Sequence, residues 1–300
     1  KLFPNSVYEC FLIPKEVYMQ ISITKINSVA MLTAVALLSA CSSEDNLTAD
    51  GNNPIVQESV ALDKAYAPSL FYSNIDVKDE PFAQNAKATF DTLSSSWIGY
   101  KSTIGTTSGA IDLPPYYSEV DGNISAATTL LDTVISDASY PVDITAAHLA
   151  LESVRDTLGE MRGTIGIEYF MDDVTIAHHA MEAVSGAYAV YVLDTNITQL
   201  CASLDTALPI FDAAWNDVNS SYNESYISSL YDLSTEKSAN LTANVNTMSS
   251  TIAALNALMP TCVADEFDVD TQAAKVKPVF VKAFLAFGDF ITPFMADMIT

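Results

Sequence analysis

Positive charge is the first thing this chain lacks. It carries 13 lysines and arginines against 37 aspartates and glutamates, a formal net charge of −24. Three of the lysines and two of the glutamates fall in residues 1–40, leaving 10 basic and 35 acidic residues beyond them. Such a surface repels nucleic acid and anionic lipid, so nucleic-acid binding is excluded as a function class. It suits a cationic partner, metal ions or a salty medium. Catalytic signatures are missing too. The sequence contains no H-E-x-x-H, no G-x-S-x-G, no C-x-x-C-H and no phosphate-cradling glycine-rich loop. Zincin proteolysis, the hydrolase elbow, covalent c-type haem and P-loop chemistry are therefore not expected. With no identifiable nucleophile or general base, an enzyme is the least favoured class. Beyond residues 29–40 no stretch is long and apolar enough to cross a bilayer.

What the chain does have begins at its amino-terminal end. From Met19 it reads MQISITKINSVAMLTAVALLSACSSEDN. Lys25 supplies positive charge, residues 29–40 form a short apolar core, and Leu38-Ser39-Ala40-Cys41 closes it. This is the pattern of a signal peptide with small residues before the cut. It resembles a bacterial lipobox, which implies lipidation of Cys41 and a membrane anchor. Ser42 and Ser43 follow with no aspartate, which in a Gram-negative envelope points to the outer membrane, facing periplasm or cell surface. Residues 42–54, SSEDNLTADGNNP, read as a flexible tether. Residues 1–18 contain no methionine and are read as an upstream extension, outside the fold.

Of four cysteines, Cys10 and Cys41 fall in these leading segments. Cys201 and Cys262 remain, and an oxidising compartment predicts a disulfide between them, two free thiols being the alternative.

Almost half the residues are hydrophobic, and from Pro81 their texture is helical. The periodicity predicts helices over 82–103, 119–138, 144–164, 168–191, 197–221, 226–258 and 272–290, with no convincing strand. Asp143 and Asn196 are candidate N-caps. Residues 55–80, with scattered aromatics, read as irregular. The expected fold is an all-α helical bundle. Trp97 follows Leu93 and Phe90 by four and seven residues, and Trp215 follows Phe211 and Leu208 in the same way, at an offset of 118. That repeat suggests two pseudo-repeated up-down units: 81–192 and 193–300, after a signal region 1–40 and a lead-in 41–80.

The chain has three histidines, and two stand together in IAHHAMEAV, residues 176–184. In the helix over 144–164, Ile144, Ala147, Leu151, Val154, Leu158, Met161 and Ile165 form a bundle-facing seam. One residue further round runs a polar stripe: His148, Glu152, Arg155, Gly159, Arg162. In the next helix Phe170, Val174, Ala177, Met181, Val184, Tyr188 and Tyr191 make the seam, bordered by Thr175, His178, Glu182 and Ser185. Each helix thus carries a His–Glu pair four residues apart, on one face. An antiparallel hairpin turning near residue 166 brings the two pairs to similar height. It also sets Arg162 level with about residue 170, near Asp172 and Asp173, as a structural ion pair. His148, Glu152, His178, His179 and Glu182 are therefore candidate metal ligands. Such N/O donors suit iron, copper or zinc. Ordinary polar pairs on a helix border are the competing reading. Non-covalent haem, with a histidine and Met161, Met171 or Met181, is a third. The methionines are more simply core filler.

The stretch Ala177-His178-His179-Ala180-Met181-Glu182 resembles the Gly-x-His-x-x-Glu helix of imelysin-like envelope proteins, with Ala177 in the glycine's place. That family is linked to iron, is built from two helical bundles and is often lipid-anchored. The resemblance implies His179 and Glu182 as the motif pair. Near the carboxy terminus Lys275, Lys277 and Lys282 flank an apolar face of Phe280, Phe284 and Phe287. Core packing is the default there; docking of an acidic partner is the alternative. The sequence thus predicts a lipid-anchored, transition-metal-binding bundle. A non-metal scaffold that docks another envelope component is the runner-up.

Overall fold

A computed structural model describes residues 51, 53–73, 82–107, 113–137, 145–194, 196–258, 279, 282–283 and 286–294. Cys10, Cys41, Asp143, Ile144, Cys262, Lys275, Lys277, Phe280 and Phe284, with the side chains of Tyr188 and Tyr191, lie outside the described residues. Within them every regular element is helical, so the expected all-α class is observed. The helices are α1 Pro54–Tyr72, α2 Phe82–Thr107, α3 Pro114–Ser136 and α4 Thr145–Thr164. Then come α5 Phe170–Asp194, α6 Ile197–Ser221, α7 Glu224–Tyr231 and α8 Thr235–Leu258. A 3₁₀ turn, Thr292–Phe294, follows.

Local chemistry explains several boundaries. Asn53 caps α1 by accepting from the Ile55 amide, and Pro54 occupies a first-turn position where its missing N–H costs nothing. Asn196 caps α6 through the Gln199 amide, as its place in the sequence predicts. Asn223 caps α7 through Tyr226. Asp232, at φ 55, ends α7 in the left-handed conformation that closes helices.

Two sequence readings are corrected here. Residues 54–72 are not irregular but form α1. Pro68 inside it removes one ladder hydrogen bond. Burial of Ile55, Val56, Val60, Leu62, Ala65, Tyr66 and Tyr72 outweighs that loss, because packing rather than propensity stabilises most helices. The single helix expected over 226–258 is two, since Asp232 breaks it before Ser234.

Sequential helices pack in pairs: α1 on α2, α3 on α4, α5 on α6. Their apolar faces build two cores. One gathers Leu62, Phe90, Leu93, Trp97, Leu151 and Met161 from α1–α4. The other gathers Val174, Met181, Leu208, Phe211, Trp215 and Phe290, with Val56 and Val60 from α1. The two tryptophan triplets thus sit one in each core. Trp97 Nε1 donates to Asp121 on α3 at 2.7 Å, and Trp215 Nε1 to Ser249 on α8 at 3.0 Å. Ser249→Ala leaves the indole N–H of the buried Trp215 without that acceptor. A loss of about 1 kcal/mol is expected by urea denaturation, and an unchanged midpoint would count against the bond.

Candidate metal centre

The segment between α4 and α5 fixes how these helices meet. Gly166 adopts φ +73, and the Ile167 amide donates back to the Arg162 carbonyl at 2.9 Å. The Gly166 amide donates to the Gly163 carbonyl at 3.1 Å. These two bonds close α4 with a Schellman motif, in which glycine supplies the left-handed residue. The chain then turns back into α5, so the polar borders of the two helices face each other.

Their register can be read from the contacts. Arg162 Nε donates to Asp172 Oδ2 at 2.9 Å, and its NH2 pairs with Asp172 Oδ1. Arg155 NH2 lies 2.8 Å from His178 Nδ1 and 3.3 Å from His179 Nε2. Asp156 Oδ1 lies 3.5 Å from His179 Nε2. The predicted Arg162–Asp172 pair is therefore present. Asp173 does not join it, but bonds toward Ser221 on α6; burial outweighs that bond and pushes its carboxyl up to about 6.

The observed register runs about two residues later than the symmetrical hairpin implies. Extended along the helices, it sets Glu152 level with about residue 182, and His148 with about residue 186. At 1.5 Å per residue, His148 then lies roughly two turns from His178. The five candidate ligands accordingly divide. His178, His179 and Glu182 each offer one ligand atom, all within 4.8 Å of one another. His148 and Glu152 form a separate neighbouring pair, with His148 Nε2 at 3.4 Å from Glu152 Oε1.

His148 is held by a residue that sequence reading missed. Ser73, just after α1, donates its hydroxyl to the Leu70 carbonyl at 2.5 Å. Its oxygen lies 2.7 Å from His148 Nδ1 and so accepts from that ring nitrogen. His148 Nε2 is thereby left facing the Glu152 carboxylate. Glu152 is only 8 % exposed, and its Oε1 accepts no well-aligned hydrogen bond from the protein. Burial opposes its ionisation. The imidazole of His148, with the charges of His178 and Arg155, more than offsets burial and holds the carboxyl down at about 2.

The triad is set differently. His178 packs against Phe287 with ring centroids 5.3 Å apart, and its Nε2 lies 3.7 Å from Glu182 Oε1. Burial, and after it the charge of Arg155, push the His178 imidazole well below its ordinary value. It is therefore neutral at physiological pH, the form in which imidazole binds metal. Burial also pushes Asp156 up to about 6, against the opposing charge of Arg155. The side chains of His179 and Glu182 are 40 % and 39 % exposed, so an ion can reach the triad from solvent. Two imidazoles and a carboxylate suit zinc, iron or copper. Met161 and Met181 are buried in opposite cores, as core filler is.

Arg155 and Asp156 had no assigned role in the sequence, although Arg155 lies on the same stripe as His148 and Glu152. No family model, curated protein or solved structure matches this chain.

Proposed function

We propose that this protein binds a transition-metal ion, iron, copper or zinc, to capture or relay it at a bacterial cell envelope. The observation that carries the reading is the convergence of His178, His179 and Glu182 within 4.8 Å. A neutral, half-buried His178 and a solvent-reachable His179 and Glu182 support it. The His148–Glu152 pair, His148 Nε2 at 3.4 Å from Glu152 Oε1, is an adjoining part of the same polar layer. The envelope location rests on the lipobox-like Leu38-Ser39-Ala40-Cys41, and the resemblance to imelysin-like proteins points the same way. Lipidated Cys41 is the proposed membrane anchor, and Cys201–Cys262 a proposed disulfide.

A second reading has its own support. Arg155 donates to both histidines, which would give them a purely structural part. The protein would then be a scaffold that docks another envelope component.

Metal content separates the two. Purified protein and the variants His179→Ala and Glu182→Ala are incubated with iron, copper or zinc, desalted and measured by elemental mass spectrometry. Metal binding predicts close to one equivalent in the wild type, falling at least tenfold in both variants, as ligand loss does. Wild type and variants alike devoid of all three metals would leave the scaffold reading.

A further inference from the structure

The three candidate donors come from a single turn of one helix, which limits how much of an ion they can surround. His178, His179 and Glu182 all belong to α5, and one atom from each lies within 4.8 Å of the others. His178 Nε2 stands 3.7 Å from Glu182 Oε1. That is too long for a hydrogen bond. It is close to the spacing of about 3.4 Å between donors on one tetrahedral zinc, whose bonds are about 2.0–2.2 Å.

The facing helix, α4, adds no donor to the cluster. It sets Arg155 NH2 at 2.8 Å from His178 Nδ1, and a guanidinium has no lone pair to give a metal. It sets Asp156 Oδ1 at 3.5 Å from His179 Nε2, but Asp156 stands outside the cluster. Among the described residues no fourth histidine, cysteine or carboxylate joins the three. Zinc takes four donors, so at least one position on the ion is left for a donor from outside these residues.

We propose that the triad holds its ion as an open half-shell, and that the ion is received and passed on through a ternary complex with a nitrogen- or oxygen-donor chelating ligand. The proposal rests on the metal-binding reading above and decides between its two forms, relay rather than capture alone. A closed four-donor site must break a bond before an acceptor can bind, so its release is indifferent to the acceptor. An open site lets the acceptor bind first, after which the three protein donors leave in turn. No bare ion is set free on the way. That order suits this surface, where 37 acidic side chains against 13 basic ones would draw in a bare cation without discrimination.

The test uses cobalt as the spectroscopic probe and zinc as the transfer probe. Azide added to the cobalt-loaded wild-type protein is expected to shift the visible absorption band, because it enters the open position. Zinc-loaded protein mixed with a chromophoric chelator is expected to lose its ion in a bimolecular step, so that tenfold more chelator gives roughly tenfold faster transfer. His179→Ala, a change at a half-exposed side chain, is expected to lose the cobalt band and the azide response together. A transfer rate that stays flat as chelator rises, or a band that azide leaves unchanged, would overturn the open half-shell and leave metal binding intact. A band that survives in His179→Ala would place the ion elsewhere and overturn both. So would wild-type protein that takes up neither cobalt nor zinc. Helical circular dichroism checks that the variant folds, and the two wild-type measurements decide the half-shell in either case.

Discussion

Arg162→Met is expected to lower the unfolding free energy by about 3 kcal/mol. Arg162 is only 2 % exposed, yet it is charged. Its guanidinium grips Asp172 through two nitrogens, donates to the Tyr100 hydroxyl at 3.3 Å and lies 4.8 Å from the centre of the Tyr169 ring. These partners come from α2 and the start of α5 while Arg162 itself is on α4, so one side chain ties both cores together. Removing it strands Asp172 and leaves Tyr100 one donor short. Breaking a buried pair costs about 3–5 kcal/mol, and the lower figure applies because the Asp172 side chain keeps 21 % exposure. Arg162→Lys should not rescue the loss, since an ammonium cannot reproduce the two-pronged contact or the stacking on Tyr169. Denaturant midpoints for the three proteins check this. A loss below about 1 kcal/mol would show that the pair behaves like a surface ion pair.

That interaction was legible in the sequence because it needs only helical period and a short turn. The seams of α4 and α5 followed from the same arithmetic: Ala147, Leu151, Val154, Leu158 and Met161 are buried, as are Phe170, Val174, Ala177, Met181 and Val184, while Ile165 at the end of the first seam is half-buried. Register was less legible. A hairpin centre read from the turn is good to about a residue or two, and the observed shift takes His148 from about six to about eight residues out of level with His178. What closes the turn is the left-handed Gly166, and its place in the Schellman motif decides where α5 starts. Arg155 was visible on the polar stripe, but nothing in a one-dimensional pattern says that its guanidinium reaches across to both histidines.

α1 was hidden for a different reason. Pro68 and a mixture of aromatic and polar residues obscure its period, and both of its flanks are buried, against different cores. A helix covered on two sides carries no single apolar stripe for a period of 3.6 to reveal. With α1 unread, Ser73 and Asp63 were unread as well, although each places a polar atom where α4 or α5 needs one.

Asp63 gives the second large effect, and its sign is opposite. Its Oδ2 accepts from the Tyr169 hydroxyl and, at 2.9 Å, from Tyr231, while the two tyrosine oxygens lie 2.6 Å apart. Burial pushes the Asp63 carboxyl up from 3.8 to about 6, against the attraction of Arg162 and the two hydroxyls. The folded protein therefore holds this proton to higher pH than the unfolded chain does. Its stabilising contribution is complete below about pH 4 and is lost as pH rises through about 6. At 1.36 kcal/mol per pH unit the swing is about 3 kcal/mol. Asp63→Asn imitates the protonated carboxyl, and its amide oxygen can still accept from both tyrosines. The variant should be up to about 3 kcal/mol more stable than wild type at pH 7.5 and within about 1 kcal/mol of it at pH 4. Subtracting the two stability curves isolates Asp63 from Asp156 and Asp173, whose carboxyls burial also raises. A flat difference between pH 4 and 7.5 would mean that Asp63 is ionised throughout, held by Arg162 as a buried ion pair. In that case Asp63→Asn would destabilise the protein at neutral pH, because it would remove one of the two carboxylates that balance the Arg162 charge.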